Sequence, residues 1–297
     1  MSSAGKKKSV SPAVSLFAGA TAGAVEGTIT YPFEFLKTRA QLAPKAGGKS
    51  PGLIEIAKTT YARYGVKGFY SGVGALVTGN SLKAGVRFFS YDKFKNMLVD
   101  SEGKLSGSRS LLAGLGAGCV EALTVVTPSE TIKTKLVDDQ RSDKPRYRGL
   151  VHGTTTIVKE EGIASIYRGL FPVMMRQGAN SAVRFTSYST LKSFVTGNSR
   201  PGEALPATIT FGIGAAAGVI TVYATMPFDT VKSRMQSLDA RTEYRNSFHC
   251  SARIAAEEGL LAFWRGATPR LGRLVLSGGI VFTVYEGVVG MLGGDQL

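Results

Sequence analysis

Apolar residues come in long, glycine-rich runs that end at a proline, and the pattern recurs three times along the chain. Ser11 to Thr30, Arg109 to Thr127 and Leu205 to Met226 are each long enough to cross a hydrocarbon core as a helix, and each continues through its proline into a basic helical turn. A polar connection follows, with a short amphipathic helix near Leu53 to Tyr64, Leu150 to Glu161 and Phe248 to Glu258 that is predicted to lie at a membrane surface. Second spans run from Gly72 to Met97, Gly169 to Val195 and Gly266 to Met291. The pattern predicts an all-α membrane protein with six transmembrane helices in three pseudo-threefold repeats, each with one short surface helix. Glycines at four-residue spacing (Gly19, Gly23 and Gly27; Gly114 and Gly118; Gly214 and Gly218) predict faces where helices approach closely.

Three landmarks hold the repeats in register. Pro32-Phe33-Glu34-Phe35-Leu36-Lys37, Pro128-Ser129-Glu130-Thr131-Ile132-Lys133 and Pro227-Phe228-Asp229-Thr230-Val231-Lys232 all read Pro-x-acid-x-x-Lys. Next come Tyr64-Gly65 with Tyr70-Ser71-Gly72, Glu161-Gly162 with Tyr167-Arg168-Gly169, and Glu258-Gly259 with Trp264-Arg265-Gly266, the closing glycines 97 residues apart. Last are Tyr91-Asp92-x-x-Lys95, Tyr188-Ser189-x-x-Lys192 and Tyr285-Glu286-x-x-Val289, at the same interval. The expected organisation is a tail over 1–10 and repeats over 11–104, 105–201 and 202–297, forming one bundle.

Mean hydropathy is only +0.06, which suits helices that turn one side to lipid and the other to water. The net charge of +15 fits nucleic acid, an acidic membrane surface or an anionic solute. Lys and Arg are spread evenly, without a basic tail or an aromatic-interleaved reading patch, so no nucleic-acid partner is expected. Cys119 and Cys250 lack neighbours at metal-ligand spacing, so no metal is expected. Met1 to Val10, with Lys6, Lys7 and Lys8, is too short and polar for a secretory signal and lacks the pattern of a transit peptide.

Counting back from the third landmark stacks the even helices into rings. Four residues before each Tyr stand Arg87, Arg184 and Val281; eight before, Lys83, Asn180 and Ser277; twelve before, Gly79, Arg176 and Arg273. Steps of four keep these on roughly one face, and cations turn that face away from lipid. These rings contain no carboxylate, so an anionic solute is the expected partner. Gln177 and Asn80 add neutral hydrogen bonds, and Arg270 lies one turn from Arg273. No nucleophile-base pair accompanies them, so an enzyme is not expected.

The thrice-repeated proline motif resembles the mitochondrial carrier family over roughly residues 11 to 291. The resemblance implies a monomeric six-helix bundle in the mitochondrial inner membrane, surface helices on the matrix side, and cofactor-free exchange by alternating access. It assigns Glu34, Lys37, Glu130, Lys133, Asp229 and Lys232 to a matrix gate with pairs Glu34–Lys133, Glu130–Lys232 and Asp229–Lys37. Gln41 and Gln236 match its bracing glutamines, and Val137 replaces the third. Tyr91, Asp92, Lys95, Tyr188, Lys192, Tyr285 and Glu286 match the cytoplasmic gate, but Ser189 and Val289 leave only Asp92–Lys192 and Glu286–Lys95. Within the family, Arg176-Gln177 together with Lys83, Arg87, Arg184 and Arg273 is most similar to members that carry tricarboxylates. Citrate exchanged for another tricarboxylate or a dicarboxylate such as malate is therefore the expected activity. A dicarboxylate or oxoacid carrier, a nucleotide carrier and a uniporter or proton leak are the competing readings. The family also implies cardiolipin at Gly72, Gly169 and Gly266.

Overall fold

A computed structural model of the protein describes residues 12–43, 51–99, 107–142, 145–196 and 206–291. The expected tail and both inter-repeat junctions lie outside the described residues. The helices are α1 (Pro12–Ile29), α2 (Tyr31–Leu42), α3 (Leu53–Gly68), α4 (Val73–Leu98), α5 (Gly107–Glu121), α6 (Thr127–Asp139), α7 (Leu150–Glu161), α8 (Leu170–Thr196), α9 (Ala207–Met235), α10 (Ala240–Glu243), α11 (Ser247–Glu257) and α12 (Ala267–Met291). The first long odd helix is α1 with α2, the second is α5 with α6, and the third is α9. The even helices are α4, α8 and α12, and α3, α7 and α11 are the surface helices.

Each even helix packs against the following odd helix, α4 on α5 and α8 on α9, and α12 closes the ring on α1 and α2. At one end α2 also meets α6 and α9, which draws the odd helices together there. Phe88 and Phe185 are 79% and 75% exposed on the outside, immediately beside Arg87 and Arg184 in sequence. Neighbouring residues on a helix point about 100° apart, so α4 and α8 place cations inward and large apolar groups toward lipid. Their composition is diluted accordingly. By length and apolarity alone only 112–139, 208–235 and 260–291 qualify as spans among the described residues.

The three prolines are accommodated differently. A break at Thr30 separates α1 from α2 just before Pro32, while a π-helical turn over Ala122–Val126 precedes Pro128. Pro227 lies inside an uninterrupted α9. Proline has no N–H to give the carbonyl four residues back, which here is Tyr223 O, and the indole Nε1 of Trp264 donates to that oxygen at 3.0 Å. The third repeat carries a Trp where the others have Tyr70 and Tyr167, and this bond is its use.

The glycine faces differ from expectation. An added Cβ at Gly19, Gly23, Gly114, Gly118 or Gly214 meets nothing within 4 Å, and of the expected set only Gly218 approaches tightly, 3.1 Å from Leu274. Helices splayed around a cavity leave these faces without a neighbour. Trp264→Phe keeps the ring but orphans Tyr223 O in lipid, so it is expected to cost about 1–2 kcal/mol. A lowered thermal unfolding midpoint of the purified protein, with Tyr70→Phe as the reference substitution, checks this.

Candidate functional site

Acid and base three residues apart share one helix face, so each odd helix offers both charges at the end where the three converge. Lys133 Nζ lies 2.7 Å from Glu34, Lys232 Nζ 3.1 Å from Glu130, and Lys37 Nζ 3.2 Å from Asp229. The ring is buried, with Glu130 half-buried. Even-helix arginines reach the same acids: Arg273 is 3.0 Å from Glu34, Arg176 is 3.3 Å from Asp229 and 3.6 Å from Glu130, and Arg270 is hydrogen-bonded to Asp229. Asp229 is therefore enclosed by three cations.

The glycines before α4, α8 and α12 fix this end. Gly72, Gly169 and Gly266 have φ of 82°, 84° and 85°, a left-handed conformation that side chains resist. A Cβ there would sit 3.1 Å from Lys133 O, 3.5 Å from Lys232 O and 2.9 Å from Lys37 O. Each even helix thus begins against the backbone of the next repeat's ring lysine. The glutamines depart from the role the resemblance implied. Gln41 Oε1 accepts from Ser233 Oγ at 2.7 Å and Gln236 Oε1 from Thr134 Oγ1 at 3.4 Å, tying α2 to α9 and α9 to α6, and neither bonds an ion pair. Val137, in the third position, packs with Tyr31 and Phe35 instead.

Above the ring lies a cavity of about 360 Å³ whose wall includes Lys83, Arg176, Arg184, Arg270 and Arg273, with Asn80 and Asn180. Arg87 stands near it, 58% exposed at its side chain; Gln177 is not part of this wall. A second space of about 500 Å³ between α8 and α9 shares Asn180 and Arg184 and touches Phe185 and Tyr188. At the far end the side chains of Asp92, Lys95 and Lys192 are exposed, those of Tyr91, Tyr285 and Glu286 are half-buried, and Val289 is buried. Among the described residues no ion pair joins Asp92 to Lys192 or Glu286 to Lys95. The structure is closed at the ring and open opposite.

One expectation is corrected: the cavity cations do have acids beside them. Glu121, fully buried, lies 3.5 Å from Lys83 and 3.3 Å from Arg87, and Glu26 lies 3.4 Å from Arg273. Counting along even helices alone missed them because they stand on α1 and α5. Glu26 precedes the ring acid of its helix by eight residues and Glu121 by nine, the extra residue falling across the π turn. The wall still carries eight basic and three acidic side chains, an excess of five. Including Arg87 with Glu121, and Asp229 beneath, leaves four.

Fold and site together describe a membrane transporter: a helical bundle around one cationic cavity, with a ring of ion pairs across one end. The chain belongs to the mitochondrial carrier family: residues 8–102, 103–199 and 203–296 each match the family described as mitochondrial carrier protein. It is thus a multi-pass protein of a mitochondrial membrane. It is 51% identical to mitochondrial tricarboxylate transporter 1 of Mycosarcoma maydis, over 97% of this chain and 98% of that protein. The tricarboxylate transport protein of Saccharomyces cerevisiae is 50% identical, over 98% and 100%. The mitochondrial tricarboxylate transport protein of Homo sapiens is 40% identical, over 97% and 92%.

Asp229→Asn leaves Lys37, Arg176 and Arg270 around a neutral amide and is expected to cost about 3–5 kcal/mol, the scale of a broken buried pair. Glu130→Gln, at a half-buried position, costs less. Thermal unfolding of both variants in one detergent gives the order.

Proposed function

We propose that the protein is an inner-membrane antiporter that exchanges citrate and related tricarboxylates for another tricarboxylate or a dicarboxylate such as malate. The observation that carries this reading is the cationic excess around one cavity, with Arg176, Arg273 and Lys83 on three different even helices. The names of its relatives support the same solute class.

The gate and the solute compete for the same groups. Arg273 holds Glu34 and Arg176 holds Glu130 and Asp229, so a carboxylate arriving from the open side displaces a protein carboxylate of like charge and geometry. Buried ion pairs lie near energetic balance because desolvation offsets attraction. One exchange of partner therefore releases the ring at small cost. Lys83 and Arg87, held by Glu121, supply the contact for a third carboxylate. When the ring parts, Asp92–Lys192 and Glu286–Lys95 close the opposite end; Ser189 and Val289 leave that closure one pair short. Alternating access then needs only one solute per step. The chain works as a monomer of three repeats, 11–104, 105–201 and 202–297, with the ring toward the matrix and cardiolipin at the N-termini of the even helices.

In liposomes, citrate uptake is expected to require internal citrate or malate; equal uptake into empty liposomes indicates a uniporter and sinks the exchange reading. Arg176→Gln with Arg273→Gln removes two charge-assisted contacts and should lower citrate exchange by at least about a hundredfold. Glu121→Gln removes the competitor for Lys83 and Arg87, so a lower KM with slower turnover is expected from initial-rate measurements.

A further inference from the structure

The ends of the surface helices break the threefold pattern. Glu160-Glu161 and Glu257-Glu258 end α7 and α11, but Arg63-Tyr64 stands at the equivalent place, 97 residues earlier in step. The consequence falls on the odd helix. Two residues past the ring lysine, Lys135 is held by Glu161 at 2.5 Å and Arg234 by Glu258 at 2.8 Å. Arg39 occupies that position in α2 and lines a pocket with Tyr64, which stands where the other repeats have that carboxylate. Its Nε and Nη1 are buried and have no hydrogen-bond partner. A guanidinium is donor-only and needs acceptors, so two buried nitrogens with no acceptor are costly.

These groups border a pocket. Arg39, Arg63, Arg141, Tyr64 and Gln140 line a space of about 260 Å³ between α2, α3 and the end of α6, with the exposed Glu55 as its one lining acid. Arg141 is partly engaged, 3.3 Å from Asp138 and 3.2 Å from Asp239. Gln140 Oε1 is buried without a partner. Three arginines and one acid line the pocket, and the unmet donors of Arg39 within it suit an anion that brings several acceptor oxygens.

We propose that this pocket binds a small, doubly charged oxyanion of the phosphate class, which fills the place held by Glu161 and Glu258 in the other repeats. It is separate from the solute cavity, and the inference does not depend on which solute crosses. The bound anion bridges α2 to the end of α6, the first and second odd helices, at the end that must part when the ring opens. Occupancy therefore favours the closed ring. Free inorganic phosphate and a phospholipid headgroup share this chemistry.

The test uses the full chain in nanodiscs of zwitterionic lipid. The thermal unfolding midpoint is followed against inorganic phosphate, with chloride at matched ionic strength as the reference. Wild type is expected to show a saturable rise. Tyr64→Glu, which restores the carboxylate present in the other two repeats, should weaken phosphate binding by about tenfold or more, the loss of one charge-assisted contact. Arg63→Glu, at an exposed position, should weaken it too, so the test does not rest on one variant. Phosphate entering the central cavity contributes equally to all three proteins and cancels. The same phosphate response in wild type and both variants overturns the proposal. In nanodiscs containing an acidic phospholipid, a wild-type response that disappears identifies the headgroup as occupant, and one that persists identifies free phosphate.

Discussion

Cations on helices that face a membrane interior must find negative charge, and in this protein they find it at two depths. Deepest is the ring, where Lys37, Lys133 and Lys232 take Asp229, Glu34 and Glu130. Arginines of the even helices reach down to the same acids. Higher up, Glu26 and Glu121 partly neutralise Arg273, Lys83 and Arg87. The acids are too few, and the remaining charge is left for a solute. Fold and transport rest on this shortage: enough acid to let the helices pack, too little to leave the cavity neutral.

Threefold likeness survives where the parts act mechanically. The Pro-x-acid-x-x-Lys turns, the left-handed glycines packed on ring-lysine carbonyls and the surface helices recur with little change. It fails where local chemistry differs. Trp264 caps a carbonyl freed by Pro227, a π turn precedes the second proline with the buried Glu121 beside Lys83 and Arg87, and Val137 packs where Gln41 and Gln236 bond. Arg63-Tyr64 stands for two acids. A solute without threefold symmetry requires an asymmetric cavity, but Trp264, Val137 and Arg63-Tyr64 lie outside it and reflect separate local solutions.

The even helices and surface helices were legible because a constant 97-residue step fixes their landmarks, and the observed ends fall within a residue of those expected except in α3, which runs four residues past Tyr64 to Gly68 across a non-helical Gly65. The ring pairs were legible for the same reason. Glu26 and Glu121 were not, since they sit at unequal distances from their ring acids and no shared offset marks them. A search for buried-span carboxylates, costly in any membrane helix, is the signal that finds both. The glutamines and the glycine faces were misread because spacing along a helix identifies a face but not what that face meets.

The charge excess also bears on which solutes pass. Four uncompensated positive charges line or border the cavity once every nearby acid is counted. A trivalent anion leaves roughly one of them unmatched, and a divalent anion leaves two. Either occupant makes the cavity less charged than when empty, which in the proposed exchange is what lets the ring open with solute present. A neutral solute offers no such relief. The empty cavity instead keeps Arg176 and Arg273 on the ring acids. The tricarboxylate leaves the smallest remainder and is the solute the counting favours, and the proposed coupling of occupancy to opening rests on the same count.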